Sequence, residues 1–135
     1  MTRRPGSAQP IRIVWGAILG SVLMYGIVAW AVAGAPEIAS PDSFVVGLYL
    51  AGGAICVLSF FLPRFISPAE AATSSDTSNG VMRASIIQWA MLEAAAVLGL
   101  VAGLLRENSF FYFPMGAVAF LGILLSRPIS DDSRF

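Results

Sequence analysis

The chain has 135 residues, of which 57% are hydrophobic and 12% are charged, and its eight basic and eight acidic residues cancel. A soluble domain carries about 25% charged residues, so half of the usual polar coat is missing. The absence of histidine and the single cysteine, Cys56, exclude a disulfide framework and a His/Cys metal site within one chain. The zero net charge predicts no surface for nucleic acid. We expect no cofactor and no metal.

Four apolar stretches occupy most of the sequence and predict transmembrane helices. They run from Ile11 to Ala33, from Phe44 to Leu62, from Ala84 to Leu105 and from Phe110 to Leu125. Crossing the hydrocarbon core takes roughly 20 apolar residues, so four crossings use nearly the whole chain. The sequence therefore predicts an all-α membrane protein, a bundle of four transmembrane helices with no separate soluble domain.

Arginine placement predicts the orientation of these helices. Seven arginines fall on one side of the membrane, namely Arg3, Arg4, Arg12, Arg64, Arg83, Arg127 and Arg134. Only Arg106 falls on the other side, beside Glu107. Cytoplasmic loops are enriched in basic residues, so we expect a bacterial cytoplasmic (inner) membrane protein with both termini in the cytoplasm. Aromatic residues near the predicted span ends are typical of interfacial belts: Trp15, Trp30, Trp89, Phe110, Phe111, Tyr112 and Phe113.

The first apolar stretch has a competing interpretation as a secretory signal peptide. Arg3 and Arg4 precede it, and the small residues Ala31-Val32-Ala33 end it in the manner of a cleavage site. The apolar core of a signal peptide is about 7 to 15 residues long, whereas this stretch is longer. We therefore expect the first helix to be retained.

The two halves of the chain resemble each other, which indicates a duplicated helical hairpin. A shift of 63 residues aligns Tyr49, Gly53, Ala54, Leu58, Leu62, Arg64, Ile66 and Ser67 with Tyr112, Gly116, Ala117, Leu121, Leu125, Arg127, Ile129 and Ser130. A shift of 73 residues aligns the first stretch with the third, although apolar stretches also match by accident. We expect two parallel repeats related by an axis along the membrane normal.

This duplication divides the chain into five parts. They are a cytoplasmic tail at 1–10, a first hairpin at 11–66, a flexible cytoplasmic linker at 67–83, a second hairpin at 84–126 and a cytoplasmic tail at 127–135. The linker is assigned from its composition, since Thr, Ser, Asp, Asn and Gly dominate residues 73–80.

A single carboxylic acid, Glu93, interrupts the third apolar stretch about 15 Å from its start. A charge at that depth costs roughly 2.5 to 3.5 kcal/mol on insertion scales, which favours the neutral, proton-bearing form. Apart from Arg12 at the very start of the first span, no arginine lies within a span to pair with it, so its expected hydrogen-bond partners are Gln88, Tyr25, Ser21, Ser59 and backbone carbonyls. Glu93 is therefore a candidate proton-binding residue, and the alternative is a protonated side chain that only joins two helices.

Two glycine pairs have the spacing at which helices approach closely. Gly16 and Gly20 lie one helical turn apart in the first stretch, and Gly99 and Gly103 do so in the third. Small residues at this spacing allow close backbone contact between membrane helices. We expect tight packing within the bundle at both pairs.

The residues around Glu93 resemble two kinds of membrane protein. The segments that carry the resemblance are Trp89-Ala90-Met91-Leu92-Glu93-Ala94, Val97-Leu98-Gly99-Leu100-Val101 and Arg127-Pro128. Together they resemble a family of small uncharacterised bacterial four-helix membrane proteins. The Leu-Glu-Ala and Gly-Leu-Val parts also look like the proton-carrying helix of rotary ATPase proteolipid (c) subunits. That likeness implies Glu93 as the proton-binding carboxyl, although proteolipids carry theirs on the second helix of a hairpin.

These features predict a protein that is not an enzyme. The short loops offer neither histidine nor a phosphate-binding loop, so no catalytic residue is expected. We expect a bundle in the lipid bilayer that forms a homo-oligomer or serves as an accessory subunit of a larger membrane complex. The alternative is a protein that translocates protons or cations by means of Glu93.

Overall fold

The computed structural model describes residues 8–71 and 77–128, which are helical apart from short connections. The four α-helices are α1 (Ala8–Ala33), α2 (Ser43–Ala71), α3 (Thr77–Leu105) and α4 (Phe113–Leu125). Segments long and apolar enough to cross a membrane lie in α1 (Pro10–Ala33), α2 (Ser43–Leu62) and α3 (Met82–Leu105). The prediction of an all-α bundle is thereby confirmed for the described residues, and three of the four predicted spans are long and apolar enough to cross a membrane.

The fourth predicted span is shorter than the other three. Its apolar helical segment, Ser109–Leu125, begins with a 3-10 turn at Ser109–Phe111, and the α-helix follows from Phe113 rather than from Phe110. The side chain of Asn108 accepts a hydrogen bond from the Phe110 backbone N–H at 3.0 Å, which caps this turn. Pro114 lies in the first turn of α4, where its missing N–H has no carbonyl to bind anyway.

The predicted linker at 67–83 is largely helical. α2 continues to Ala71 and α3 begins at Thr77, so both helices extend into the stretch that was assigned to a flexible linker. Alanine and glutamate, which follow Pro68 in the sequence, are among the strongest helix formers and favour this extension. Residues 72–76 remain between the two helices and lie outside the described residues.

The helix α3 is the centre of the bundle, because it packs against each of the other three. α1 lies against α3 and α4, whereas α2 packs mainly on α3. One core joins all four helices through Val22, Ala29, Cys56, Trp89, Leu92, Ala95, Ala96, Tyr112, Ala119 and Ile123. Trp89 and Tyr112, which the sequence assigned to an interfacial belt, are therefore core residues.

The two glycine pairs differ in what they contact. A Cβ atom on Gly99 would lie 2.6 Å from Met115 Cβ, and one on Gly103 would lie 3.4 Å from the Asn108 carbonyl oxygen. This pair lets α3 and α4 approach closely, as expected. No atom lies within 4 Å of the Cβ positions of Gly16 and Gly20. That pair is outside every interface of the described chain, because α1 turns a different face, with Val22, toward the core.

The loop between α1 and α2 is attached to the end of α3 by specific bonds. Asn108 Nδ2 donates to the Glu37 carbonyl at 2.8 Å, and the Glu37 N–H donates to Asn108 Oδ1 at 3.1 Å. Arg106 pairs with Asp42, and its guanidinium lies 5.5 Å from the centre of the Phe44 ring. These contacts fix one end of α1 and of α2 relative to α3.

The close approach of α3 and α4 leads to a prediction about the two glycine pairs. Gly99→Ala should lower the free energy of unfolding by about 1 to 3 kcal/mol, because the added methyl group overlaps Met115. Gly20→Ala is the matched control and should be neutral or stabilising by up to about 1 kcal/mol, since alanine is the better helix former. Denaturant unfolding of both variants in one detergent measures the difference. Equal effects of the two changes would contradict this assignment of the interface.

Candidate intramembrane carboxyl site

Glu93 lies in the middle of the longest apolar part of α3. It is the twelfth of the 24 residues of the segment Met82–Leu105, which places it near the bilayer midplane if α3 crosses the membrane. On one flank of Glu93 along α3, Ala90 and Val97 are exposed. On the opposite flank, Leu92 and Ala96 are buried. Glu93 itself is half-buried, so it stands at the edge between the packed and the open surface of α3.

Two hydroxyl groups of α1 bind one oxygen of this carboxyl group. Ser21 Oγ donates to Glu93 Oε1 at 2.7 Å, and the Tyr25 hydroxyl donates to the same oxygen at 2.8 Å. Ser21 and Tyr25 are four residues apart and therefore project from one face of α1. The structure thus brings two of the four predicted partners to Glu93.

The other two predicted partners are not brought to Glu93. Ser59 is buried on α2, and its hydroxyl donates to the Cys56 carbonyl within its own helix at 2.6 Å. Serine often satisfies its hydroxyl this way inside a helix, and the sequence alone does not distinguish this choice from a tertiary bond. Gln88 lies five residues before Glu93 and so projects from another face of α3. Both hydrogen bonds of Glu93 go instead to α1.

The second carboxyl oxygen, Oε2, is open to the surroundings of the bundle. Both hydrogen bonds of the side chain end on Oε1, and Oε2 has no partner among the described residues. No buried side-chain oxygen or nitrogen in the described part of the chain lacks a hydrogen bond, so Oε2 is not sealed inside the protein. The carboxyl group therefore has one oxygen bound by α1 and one that keeps some exposed surface and no partner among the described residues.

The hydroxyl groups at the site make more contacts than they have hydrogens. Ser21 Oγ lies 2.7 Å from Glu93 Oε1 and also 2.7 Å from the Ile18 carbonyl oxygen, but a hydroxyl has only one hydrogen to donate. With Tyr25 included, three contacts share two hydroxyl hydrogens. The Ser21 hydrogen is therefore shared between the Glu93 carboxyl group and the Ile18 carbonyl of its own helix.

Glu93 has no charged partner among the described residues. Within residues 8–71 and 77–128, no arginine forms an ion pair with Glu93. A charged carboxylate at this depth would depend on two neutral hydroxyl donors for its stabilisation, and isolated charges in hydrocarbon are costly. The arrangement therefore gives Glu93 two neutral donors on one oxygen and no charged partner among the described residues.

Tyr112 is a positioning residue that the sequence did not identify. Its ring lies between α1 and α4, where a Cβ on Gly26 would lie 3.1 Å and one on Gly116 2.5 Å from ring atoms. Its hydroxyl donates to the Val22 carbonyl, directly beside Ser21. The placement of Gly116 one helical turn after Tyr112 was the available signal, because a glycine there makes room for a large side chain. Tyr112 thus holds α1 at the position from which the hydroxyls of Ser21 and Tyr25 reach Glu93.

The hydrogen bonds at the site lead to a prediction about stability. Tyr25→Phe removes one donor to Glu93 and should lower the free energy of unfolding by about 0.6 kcal/mol, with an upper limit of about 2 kcal/mol. In a Glu93→Leu background the same change should have no effect, because the acceptor is already gone. A double-mutant cycle measured by unfolding in detergent gives the coupling between the two side chains. A coupling of zero would show that this bond does not hold α1 to α3.

Comparisons with protein-family models, with curated protein sequences and with solved structures find no match to this chain. The chemistry of Glu93 therefore has to be inferred from its own contacts, burial and charge. Those contacts describe a half-buried carboxyl group deep in an apolar segment, with two hydroxyl donors on one oxygen and an open second oxygen.

Proposed function

We propose that this chain is a non-enzymatic membrane protein that works by assembly, either as a homo-oligomer or as an accessory subunit of a larger membrane complex. The observation that supports this proposal is the unpartnered Oε2 of Glu93. A polar atom without a hydrogen bond in hydrocarbon costs several kcal/mol. Polar side chains in membrane helices therefore face a protein partner or a water-filled cavity, and a second chain on this face supplies the missing bond.

The surface around Glu93 favours a helix as the partner. Ala90 and Ala94 flank the carboxyl group and are exposed, as is Val97 one turn further along α3. Small side chains let a second backbone approach to the short distance at which an interhelical hydrogen bond forms. A partner that packs here would satisfy Oε2 and cover this exposed strip at the same time.

The proposed topology has four crossings and two parallel hairpins. The fourth crossing uses Ser109–Leu125, whose 17 residues match the lower limit of about 17 for a transmembrane helix. With the arginine-rich sides inward, both termini lie in the cytoplasm of a bacterium and the protein lies in the inner membrane. The repeat is supported by Tyr49 and Tyr112, which align with each other and whose hydroxyls both donate to a backbone carbonyl of another segment.

Assembly is tested by the mass of the complex that carries a tagged copy of the chain. Wild-type protein and Glu93→Gln should be recovered as a homo-oligomer or with a stoichiometric partner, because glutamine keeps a hydrogen-bonding group at the site. Glu93→Leu should weaken association about tenfold or more, which corresponds to about 1.4 kcal/mol for one interhelical bond. Native mass determination after gentle extraction from the membrane measures both.

Two control variants separate assembly from folding. Ser21→Ala with Tyr25→Phe removes the bonds on Oε1 but leaves Oε2, so association should persist even though the bundle is less stable. Glu107→Leu changes a carboxyl group in the α3–α4 connection and should leave association unchanged. A wild-type chain that is monomeric and without a partner, or a Glu93→Leu variant with unchanged association, contradicts the proposal.

A second function, translocation of protons or cations, is supported by a different property of the same site. Two hydroxyl groups donate to Oε1, no arginine pairs with Glu93 within the described residues, and Oε2 is not sealed inside the protein. A carboxyl group of this kind can take up a proton from one side and release it to the other if an oligomer provides a path. The resemblance of the Glu93 segment to proteolipid subunits implies the same role.

Translocation is tested by flux into liposomes that contain the purified protein. Glu93→Gln keeps the size and the hydrogen bonding of the side chain but has no titratable proton, so it should abolish proton flux. Glu107→Gln, the control outside the apolar segments, should leave flux unchanged. Full flux through Glu93→Gln would eliminate translocation by this residue while leaving the assembly proposal intact.

A further inference from the structure

A cavity lies between the first turns of α1 and the end of α4. It has a volume of about 320 Å³ and is lined by Arg12, Trp15, Gly16, Arg127 and Pro128. Arg12 is in the second turn of α1, about 14 Å along the helix from Ser21 and thus away from Glu93. Arg127 follows the end of α4 by two residues. The cavity is therefore at the level of the helix ends, where membrane helices meet the lipid headgroups.

Two arginines make the described lining of this cavity positively charged. Neither Arg12 nor Arg127 forms an ion pair or a hydrogen bond with any residue in the part of the chain that the structure describes. None of the described lining residues carries a carboxylate. Arg106, at the opposite end of the bundle, differs in that Asp42 neutralises it. Two like charges beside one cavity repel each other unless an anion lies between them, and guanidinium groups bind phosphate oxygens with two parallel hydrogen bonds.

Trp15 makes this cavity a fixed feature of the fold. Its indole N–H donates to the Ile123 carbonyl at 2.9 Å, which ties the start of α1 to the end of α4. The same bond keeps Arg12 near Arg127. Arg12 lies three residues before Trp15, and Arg127 lies four residues after Ile123. The indole ring forms a wall with an apolar face, which is the usual role of tryptophan at a membrane interface.

We propose that this cavity binds the phosphate group of an anionic phospholipid. The chemistry that the arginines recognise is a phosphate, and the surface that continues from the cavity favours a lipid as its source. Gly16 lines the cavity and Gly20 follows one turn deeper, and no atom lies within 4 Å of either Cβ position. This leaves a flat track along α1, flanked by the exposed side chain of Leu23, where an acyl chain can lie.

The place of this cavity at the helix ends fits the binding of an anionic lipid headgroup. Basic pockets between membrane helices at the cytoplasmic side bind anionic headgroups, and each arginine near such a surface contributes about 1 kcal/mol. A phosphate held between α1 and α4 would also join two helices whose arginines otherwise repel each other. The site does not involve Glu93, so its test is independent of both functions proposed above.

The experiment measures lipid binding to the full-length protein in detergent. Phosphatidylglycerol and phosphatidylcholine with the same acyl chains are titrated separately, and bound lipid is counted by native mass spectrometry. The wild-type protein should bind phosphatidylglycerol more tightly than phosphatidylcholine, and Arg12→Gln and Arg127→Gln should each weaken this binding about fivefold. Arg64→Gln is the matched control: it removes one positive charge from α2, two residues beyond the apolar segment Ser43–Leu62, and should change nothing.

Three results would overturn the proposal. The first is equal binding of the two lipids, and the second is unchanged phosphatidylglycerol binding in the Arg12→Gln, Arg127→Gln double variant. The third comes from a parallel titration with inorganic phosphate. If phosphate alone binds to the wild-type protein and displaces phosphatidylglycerol, the cavity is a site for a soluble anion rather than for a lipid.

Discussion

The hydrocarbon interior of a membrane offers no hydrogen-bond partner, and this constraint explains most polar contacts of the bundle. Tyr112 donates to the Val22 carbonyl, and Trp15 donates to the Ile123 carbonyl. In the described residues no buried polar side-chain atom lacks a partner. Apolar side chains gain little by leaving lipid for a protein interior, so membrane helices depend on close packing and on such bonds to choose their neighbours. The two bonds named here both join α1 to α4.

The position of α1 decides the chemistry of Glu93. α1 is the least buried of the three long helices, and yet both hydroxyls that bind the carboxyl group belong to it. It is held in place by Tyr112 near its middle and by Trp15 near its start. The close contact of α3 with α4 at Gly99 in turn fixes the segment that carries Tyr112.

The carboxyl group of Glu93 is asymmetric, and this asymmetry connects the two proposed functions. The bonds to Oε1 join α3 to α1 inside one chain, whereas Oε2 is available for a contact outside it. The proposed assembly would use the second oxygen as a bonding group, and the proposed translocation would use the same carboxyl group to carry a proton.

The sequence by itself determined the class of the protein and the location of its unusual residue. Apolar stretches of about 20 residues and a low share of charged residues were enough to predict helices that cross a membrane. Glu93 was identified in the same way, because a carboxylic acid in such a stretch is rare and costly. These inferences depend on composition along the chain, which local physical chemistry governs.

The tertiary structure alone decided which faces of the helices meet. It selected Ser21 and Tyr25 over Ser59 and Gln88, and it packed Gly99 but left Gly16 open. Membrane helices are apolar on every side, so the hydrophobic pattern that orients a soluble helix toward its core is absent here. Close packing and a few hydrogen bonds between distant residues fix the rotation of each helix instead, and neither can be deduced from one segment at a time.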